Sequence, residues 1–543
     1  FNDCGSLLPV PCIRSIRFLR QLYFLAKKVK IECEDERTFN AVRSFFDTDA
    51  RVLRGDLEWG ADDLCSVRAF HLDYDDKLRP KHKDLQLPLN LPEDNQPWLP
   101  RELVRCIHFA SDAISCSLGL FNPMEWRSKH GPGAVSDRVG KSKYDFPTWP
   151  RKLEAIFPQA DFAFANYACW ADDLDSKDHR FHEAEAPCKL IAVPKTQKTP
   201  RLIASEPTAH QWCQQIIKDF LYNRANECWI GKSVHFNDQT HNQVLARLAS
   251  RLGSHWTIDL SEASDRVSCY VVERFFRRNP TLLDAFNAVR TRFIRNTVDP
   301  KQASLHRLRK FSCMGSALTF PVQSLIFLGV VAGCLLYQRR AAKTFKSVER
   351  LAAEVLVFGD DLIVPSDVGY LVLGALRYLG FKVNHNKTFG NGKFRESCGG
   401  EYFDGHDVTP TYLLTYPDRL RPESIISFVA SRNNFYRNGY FRTADWMKTT
   451  VCKTTNIRLP TLAVDSGAFC WESFDEVDWS GLRRRFNQFT HQNEILQHVP
   501  YGRVRVHPDR YTSRILQYFT EAPRPDDVWV SGVRARPSLI LKR

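Results

Sequence analysis

Residues 354–366 read EVLVFGDDLIVPS, and two adjacent aspartates, Asp360 and Asp361, interrupt a run that is otherwise apolar. A chain that buries both flanks has to turn between them. VLVF and LIVP therefore predict the two strands of a hairpin, with Gly359 and the two acids at its tip. Side chains alternate along a strand, so the turn must gather carboxylates that start from opposite faces. Unpaired carboxylates held close raise each other's pKa, and a divalent cation relieves that cost. Mg²⁺ takes oxygen ligands and is held by one or two carboxylates together with substrate phosphates. A Gly-Asp-Asp triplet alone also suits a solvated hairpin turn, so a metal site requires a further acid elsewhere in the chain.

HWTIDL at 255–260 supplies one. It predicts a short buried strand with Asp259 near its end, followed by a helix in SEASDRVSCYVVERFFRR. Laid beside the hairpin, this strand brings Asp259 within reach of the Asp360 side. Three carboxylates so placed could hold two Mg²⁺ ions, or Mn²⁺ in their stead, about 3.5–4 Å apart, the spacing used for in-line phosphoryl displacement. One ion would activate a 3′-hydroxyl and the other would steady a leaving pyrophosphate.

Cations suited to a triphosphate occur separately. CKLIAVPKTQKTPRLIASEP at 188–207 predicts strand, basic turn, strand. Alternation would put several of Lys189, Lys195, Lys198 and Arg201 on one face, where they could clamp phosphates; a solvated charged hairpin has the same pattern. Asp265 follows Asp259 past a turn. It could accept a hydrogen bond from a ribose 2′-hydroxyl or simply favour a helix N-terminus. Lys387, in FKVNHNKTF, suits a general acid near the pyrophosphate, or a surface lysine.

Bulk composition is compatible with this chemistry. The 543 residues predict two or three subdomains, and 43% hydrophobic with 25% charged residues predict an ordinary globular protein. Lys and Arg number 76 against 62 Asp and Glu, a net charge of +14 that favours a polyanionic partner. The 16 cysteines include no C-x-x-C pair and no zinc spacing, and are read as reduced thiols in a cytosol-like compartment. The longest apolar run, LIFLGVVAGCLLY at 325–337, is 13 residues long, short for a bilayer and suited to a buried helix. The first residues, FNDCGSLLPVPCIRS, lack the pattern of a secretory signal, and the chain does not begin with Met.

No repeat or low-complexity tract is visible. Residues 13–50 show helical spacing, 80–100 read as a Pro-rich connector, and KHGPGAVSD at 129–137 as a loop that lets backbone approach a ligand. MGSALTFPVQSLIFLGVVAGCLLYQRR at 314–340 predicts a glycine loop opening a long helix, and VLGALRYLGFKVN a helix and an edge strand. Beyond about 405 the pattern loosens into helices and loops with basic clusters. The predicted class is α+β, an antiparallel sheet with helices on one face.

TIDLSEASD, SCMGSALTF with QSLIF, FGDD, and NKTF followed by FRESCGGEYF and GHDVTP occur in that order. Together with VPKTQKTPRLIASEP and HGPGA, they resemble the replicases of the single-stranded RNA phages, the leviviruses, over roughly 129–412. The resemblance implies a right-hand polymerase whose palm is an antiparallel sheet backed by helices. An N-terminal helical, fingers-bridging region would occupy 1–128, fingers 129–250, palm 251–404, and thumb with C-terminal region 405–543. It implies an RNA-dependent RNA polymerase that replicates a phage genome without a primer, by two-metal nucleotidyl transfer, in the host bacterial cytoplasm. By position Asp259, Asp360 and Asp361 are its metal ligands and Lys387 its proton donor. Lys195, Lys198 and Arg201 face the triphosphate, with Lys189 where the family has Arg. Asp265 with Ser312 resembles the ribose-selecting pair, and Gly315 belongs to the substrate-binding glycine loop.

That loop usually reads M-G-N-G-x-T-F-E-L-E-S in the family. Here Ser316 and Ala317 replace Asn and Gly, and Pro321 and Gln323 replace two Glu. Alanine at 317 suits only a negative φ. The implied partners are RNA template and product, ribonucleoside triphosphates, and host translation factors (elongation factors Tu and Ts, ribosomal protein S1), with no membrane. A reverse transcriptase shares the palm but closes the ribose site with a bulky apolar side chain, which Asp265 is not. A catalytically silent RNA-binding subunit has little reason to keep three aspartates and Lys387 together.

Overall fold

The computed structural model describes residues 7–29, 31–53, 55, 99–131, 133–137, 142–176, 185–196, 198–475, 477–503, 511–520 and 536–542. The expected connector lies outside the described residues except for its last two positions.

The helical stretch at 13–50 divides into α1 (Ile13–Phe24) and α2 (Asp35–Arg51). Between them Lys27 and Lys28 repel, and β-branched Val29 and Ile31 are weak helix formers. Asp35 and Glu36 then favour the N-terminus of α2 through its dipole. Helix α3 (Arg101–Ser117) follows, then strands β1 (Cys188–Val193) and β2 (Arg201–Ser205), helix α4 (Thr208–Glu227) and helix α5 (Thr240–Leu252). Next come β3 (His255–Ser261), β4 (Phe293–Arg295), β5 (Leu305–Arg307) and the long helix α6 (Thr319–Gln338). The expected hairpin is β6 (Leu356–Phe358) and β7 (Asp361–Pro365), followed by α7 (Gly369–Tyr378) and β8 (Lys382–Val383).

Strands β6, β7, β3 and β8 form one sheet in that order, antiparallel throughout. A second sheet runs β2-β1-β4-β5, with β1 and β4 parallel and the other pairs antiparallel. The class is mixed helix and sheet, as the sequence predicts.

Alternation sorts the faces of the first sheet. Trp256, Ile258 and Leu260 of β3, with Leu362 and Val364 of β7, join the main core with residues of α6 and α7. The expectation of helices on one face only is corrected: Ile363, on the opposite face, packs against Ala246 of α5 and Tyr402. Helix α6 is long and apolar enough to cross a membrane by length and composition, but 94% of its apolar window is buried in the protein. Its two inner glycines explain the fit. A Cβ on Gly333 would lie 2.5 Å from Ile107 Cα of α3, and one on Gly329 would lie 2.4 Å from the Phe275 ring. Helix-to-helix contact this close excludes any side chain there.

The hairpin β9 (Phe394–Ser397) and β10 (Gly400–Phe403) lies along α5. Gln243 Nε2 donates to the Cys398 carbonyl at 3.0 Å, and Arg247 Nε to that of Gly405 at 2.7 Å. Helices α8 (Pro422–Arg437) and α9 (Phe441–Thr455) enclose a separate apolar cluster around Phe428, Phe435 and Trp471. Helices and loops are not the whole of this region: Arg483–Asn487, Gln492–Arg503 and Arg536–Lys542 form an antiparallel sheet. Their irregular alternation hid them from the periodicity argument.

Candidate active site

Pairing of Phe358 with Asp361 leaves Gly359 and Asp360 as a two-residue turn. Gly359 has φ 63°, the left-handed value such a turn demands of its first residue. The tip is seated on the start of α6. Gly359 N donates to Ser324 Oγ at 3.0 Å, and a Cβ at 359 would approach the Phe320 ring to 2.9 Å.

Asp259 lies directly opposite Asp361 in the β3–β7 ladder. Opposed residues point to the same face with Cβ atoms about 4.5–5.5 Å apart. The third acid, Asp360, follows from the turn. The aspartates repel one another: burial first, then the charges of Asp360 and Asp259, push Asp361 up to about 7. Burial also raises Asp259, while Lys387 and a 2.7 Å hydrogen bond from Asn384 Nδ2 act against it. Asn384, just beyond β8, also donates its backbone N–H to the Asp259 carbonyl at 2.9 Å. Periodicity gave no hint of this residue; only the β3–β8 pairing brings it here.

Lys387 sits in the turn His385–Lys387 after β8, its Nζ 3.2 Å from Glu396 of β9. Burial lowers its pKa, but Asp259, Glu396 and Asp361 together raise it. The lysine is therefore a charged neighbour of the aspartates. Lys195, in the basic turn, faces the same group. Partial desolvation, Arg201 and Lys387 lower its pKa, against the pull of Asp360 and Asp259. Lys198 and Arg201 are exposed nearby in the chain. Lys189 stands apart: it pairs with Ser205 four rungs from the Val193–Arg201 pair, about 13 Å along the strand. It shares the sheet face of Arg201 but not its end.

Asp265 makes a contact that sequence reasoning missed. Lys310, fully buried, donates to Asp265 Oδ1 at 2.9 Å, and its Nζ lies 3.2 Å from the Phe45 ring centroid. Burial opposes the charge on Lys310, yet Asp265, Cys313 and Asp49 hold its pKa up. One carboxylate oxygen of Asp265 is thus fixed. Ser312 Oγ lies 2.8 Å from Thr319 Oγ1, which donates to the Cys313 carbonyl at 2.8 Å. Ser312 therefore organises the loop before α6 and has no bond to Asp265.

Gly315 is set by a backbone crossing. Its φ is 128°, a Cβ there would lie 1.9 Å from the Ala204 carbonyl oxygen, and Ala204 N donates to the Met314 carbonyl at 2.7 Å. The loop docks on β2, and only glycine fits. Ala317 lies outside the left-handed region, so alanine is tolerated there; its N–H donates to Gln214 Oε1 of α4 at 3.2 Å.

The donor set is oxygen only and crowded, which suits a hard divalent cation. As the side chains stand, no three His, Cys, Asp or Glu groups converge on one metal position among the described residues.

Residues 105–422 match the family model described as RNA replicase, beta-chain. The RNA-directed RNA polymerase beta chain of Enterobacteria phage fr is 36% identical over 224 residues, which is 41% of this chain and 37% of that protein. The beta subunit from Escherichia virus Qbeta is 31% identical over 340 residues, 61% of this chain and 52% of that one. The beta chain of Escherichia phage MS2 is 35% identical over 231 residues, 42% and 38% of the two chains. The chain thus spans between 37% and 52% of the length of these relatives. The solved BmCPV RNA-dependent RNA polymerase at elongation state aligns at TM-score 0.37 and 12% identity over 68% of this chain and 36% of that chain, too loosely to bear on the fold. With a family match over more than half of its length, this chain belongs to the RNA replicase beta-chain family.

Proposed function

We propose that this chain is an RNA-dependent RNA polymerase that copies a single-stranded RNA phage genome by nucleotidyl transfer, starting without a primer. The observation that carries the reading is the facing pair Asp259 and Asp361 with Asp360 at the adjoining turn. In this reading the sheet β6-β7-β3-β8 is the palm, β1–β2 and the basic turn belong to the fingers, and the region beyond 405 is the thumb. The three aspartates would hold two Mg²⁺ ions, or Mn²⁺. Bound there, the metal supplies Lewis acidity for a 3′-hydroxyl and charge neutralisation for departing pyrophosphate.

The remaining roles belong to the chain's own groups. Lys195, Lys198 and Arg201 bind and orient the triphosphate, where fixed cations favour charge building on phosphate oxygens. Lys387 is charged and beside the aspartates, so it can hand a proton to the leaving pyrophosphate. Asp265, steadied by Lys310, offers its free oxygen to a ribose 2′-hydroxyl. RNA template and product, and host elongation factors Tu and Ts with ribosomal protein S1, are the proposed partners in the host bacterial cytoplasm.

The test is incorporation of labelled ribonucleotides and deoxyribonucleotides on an RNA template with Mg²⁺. Ribonucleotide incorporation by the wild type and none by Asp360→Ala is the expected result. Deoxyribonucleotide incorporation at an equal rate, or a fully active Asp360→Ala, overturns the reading.

A further inference from the structure

After α1 the described residues 25–29 and 31–33 are held by two separate parts of the chain. At one end Leu413 N donates to the Leu25 carbonyl at 2.9 Å, Gln21 bonds Thr411 in both directions, and Arg20 pairs with Glu401 of β10. At the other end Cys33 Sγ donates to the Thr196 carbonyl at 3.3 Å, within the basic turn that carries Lys195 and Lys198. Between these anchors stand Lys27 and Lys28, both exposed.

The surrounding charges are unequally matched. Arg20 is taken by Glu401 and Lys387 by Glu396. Lys27 and Lys28 have no carboxylate within ion-pair distance among the described residues. Their Nζ atoms lie instead over rings, 4.7 Å from the Phe24 centroid and 4.0 Å from that of Tyr412. An aromatic face positions an ammonium group without neutralising it. Desolvation first, then Lys387, lower the pKa of both against the pull of Glu396, and Lys28 and Arg20 add to this at Lys27. Cations crowded together beside Lys387, accessible and without counter-ions, are arranged for an anion supplied from outside.

We infer that Lys27 and Lys28, on a strap pinned between the basic turn and the β9–β10 hairpin, form a second phosphate-binding wall for the triphosphate of the incoming nucleotide. The inference rests on the polymerase reading for the identity of that ligand. The basic turn grips the triphosphate from one side and the strap from the other, with Lys387 between them.

The experiment compares wild type, Lys27→Ala/Lys28→Ala and Lys27→Arg/Lys28→Arg, each checked for an unchanged thermal unfolding midpoint. Losing two partly screened phosphate contacts raises KM for ribonucleoside triphosphates about tenfold, with kcat nearly unchanged. The arginine variant restores KM. Inorganic triphosphate binding to the purified chain, measured without catalysis, weakens by a similar factor in the alanine variant. Unchanged KM and unchanged triphosphate binding overturn the inference, as does a loss of kcat alone without arginine rescue. Weaker RNA binding with normal KM also overturns it, because the lysines then serve the RNA backbone. An Asp360→Ala protein that still polymerises sinks the polymerase reading alone, since the triphosphate-binding arm does not depend on turnover.

Discussion

Asp259 and Asp361 occupy one rung of the β3–β7 ladder, so two half-buried carboxylates share a sheet face, with Lys387 as a charged neighbour. Strand pairs normally avoid this, since like charges directly opposite are destabilising. Local rules of strand pairing are broken at this rung, as they are at functional or strained sites.

Neutralising it separates stability from activity. Asp361→Asn removes a carboxylate that burial, Asp360 and Asp259 all push toward protonation. In metal-free buffer at pH 8 the variant gains about 1–2 kcal/mol in urea unfolding, while incorporation falls about 10³-fold or more. A variant that loses stability in that buffer contradicts the repulsion account.

Gly315 and Gly253 make a controlled comparison. Both have positive φ, but a Cβ at 315 meets the Ala204 carbonyl at 1.9 Å, while nothing lies within 4 Å at 253. Gly253→Ala should cost about 1 kcal/mol from backbone strain alone. Gly315→Ala should cost about 3 kcal/mol or more and loosen the loop from β2. Equal denaturation midpoints for the two variants would argue that the loop does not dock on β2.

Asp265 is held by Lys310, and the proposed function gives it a second task, reading the ribose. Asp265→Ala leaves buried Lys310 without its 2.9 Å partner, a loss of about 3 kcal/mol or more. It should also reduce the preference for ribonucleotides over deoxyribonucleotides by about 10²-fold, read as a ratio of kcat/KM values. Lost stability with intact discrimination would limit Asp265 to its structural pairing.

His108 gives a pH signature far from the site. Burial first, then Arg277, push its pKa from 6.5 down to about 4. The folded protein resists a proton that the unfolded chain accepts. The stability is therefore complete above pH 6.5 and is lost as pH falls from 6.5 toward 4. Between those limits the wild type should lose about 1.4 kcal/mol more per pH unit than His108→Gln, measured as urea unfolding at several pH values. Parallel profiles for the two proteins would show that His108 is protonated in the fold.

The sequence was legible wherever the cause is local. The hairpin at 356–365 follows from apolar flanks around turn residues, and β3 and the helices α6 and α7 from apolar periodicity. The motifs also sufficed to name the family. By contrast, Asn384, Lys310 and the strap lysines carry no pattern of their own, because a lone polar residue looks alike in any loop.

What only the tertiary structure decided is which distant segments meet. Register sets Asp259 against Asp361 and carries Lys189 away from Arg201, and a one-residue slip would turn either side chain to the other face. Gly315 is fixed by the carbonyl of Ala204, and Lys27 and Lys28 by anchors at Thr196 and Leu413. Composition and periodicity encode the burial and turns of each segment. Contacts between segments depend on how whole faces pack together, and no short stretch of sequence contains that information.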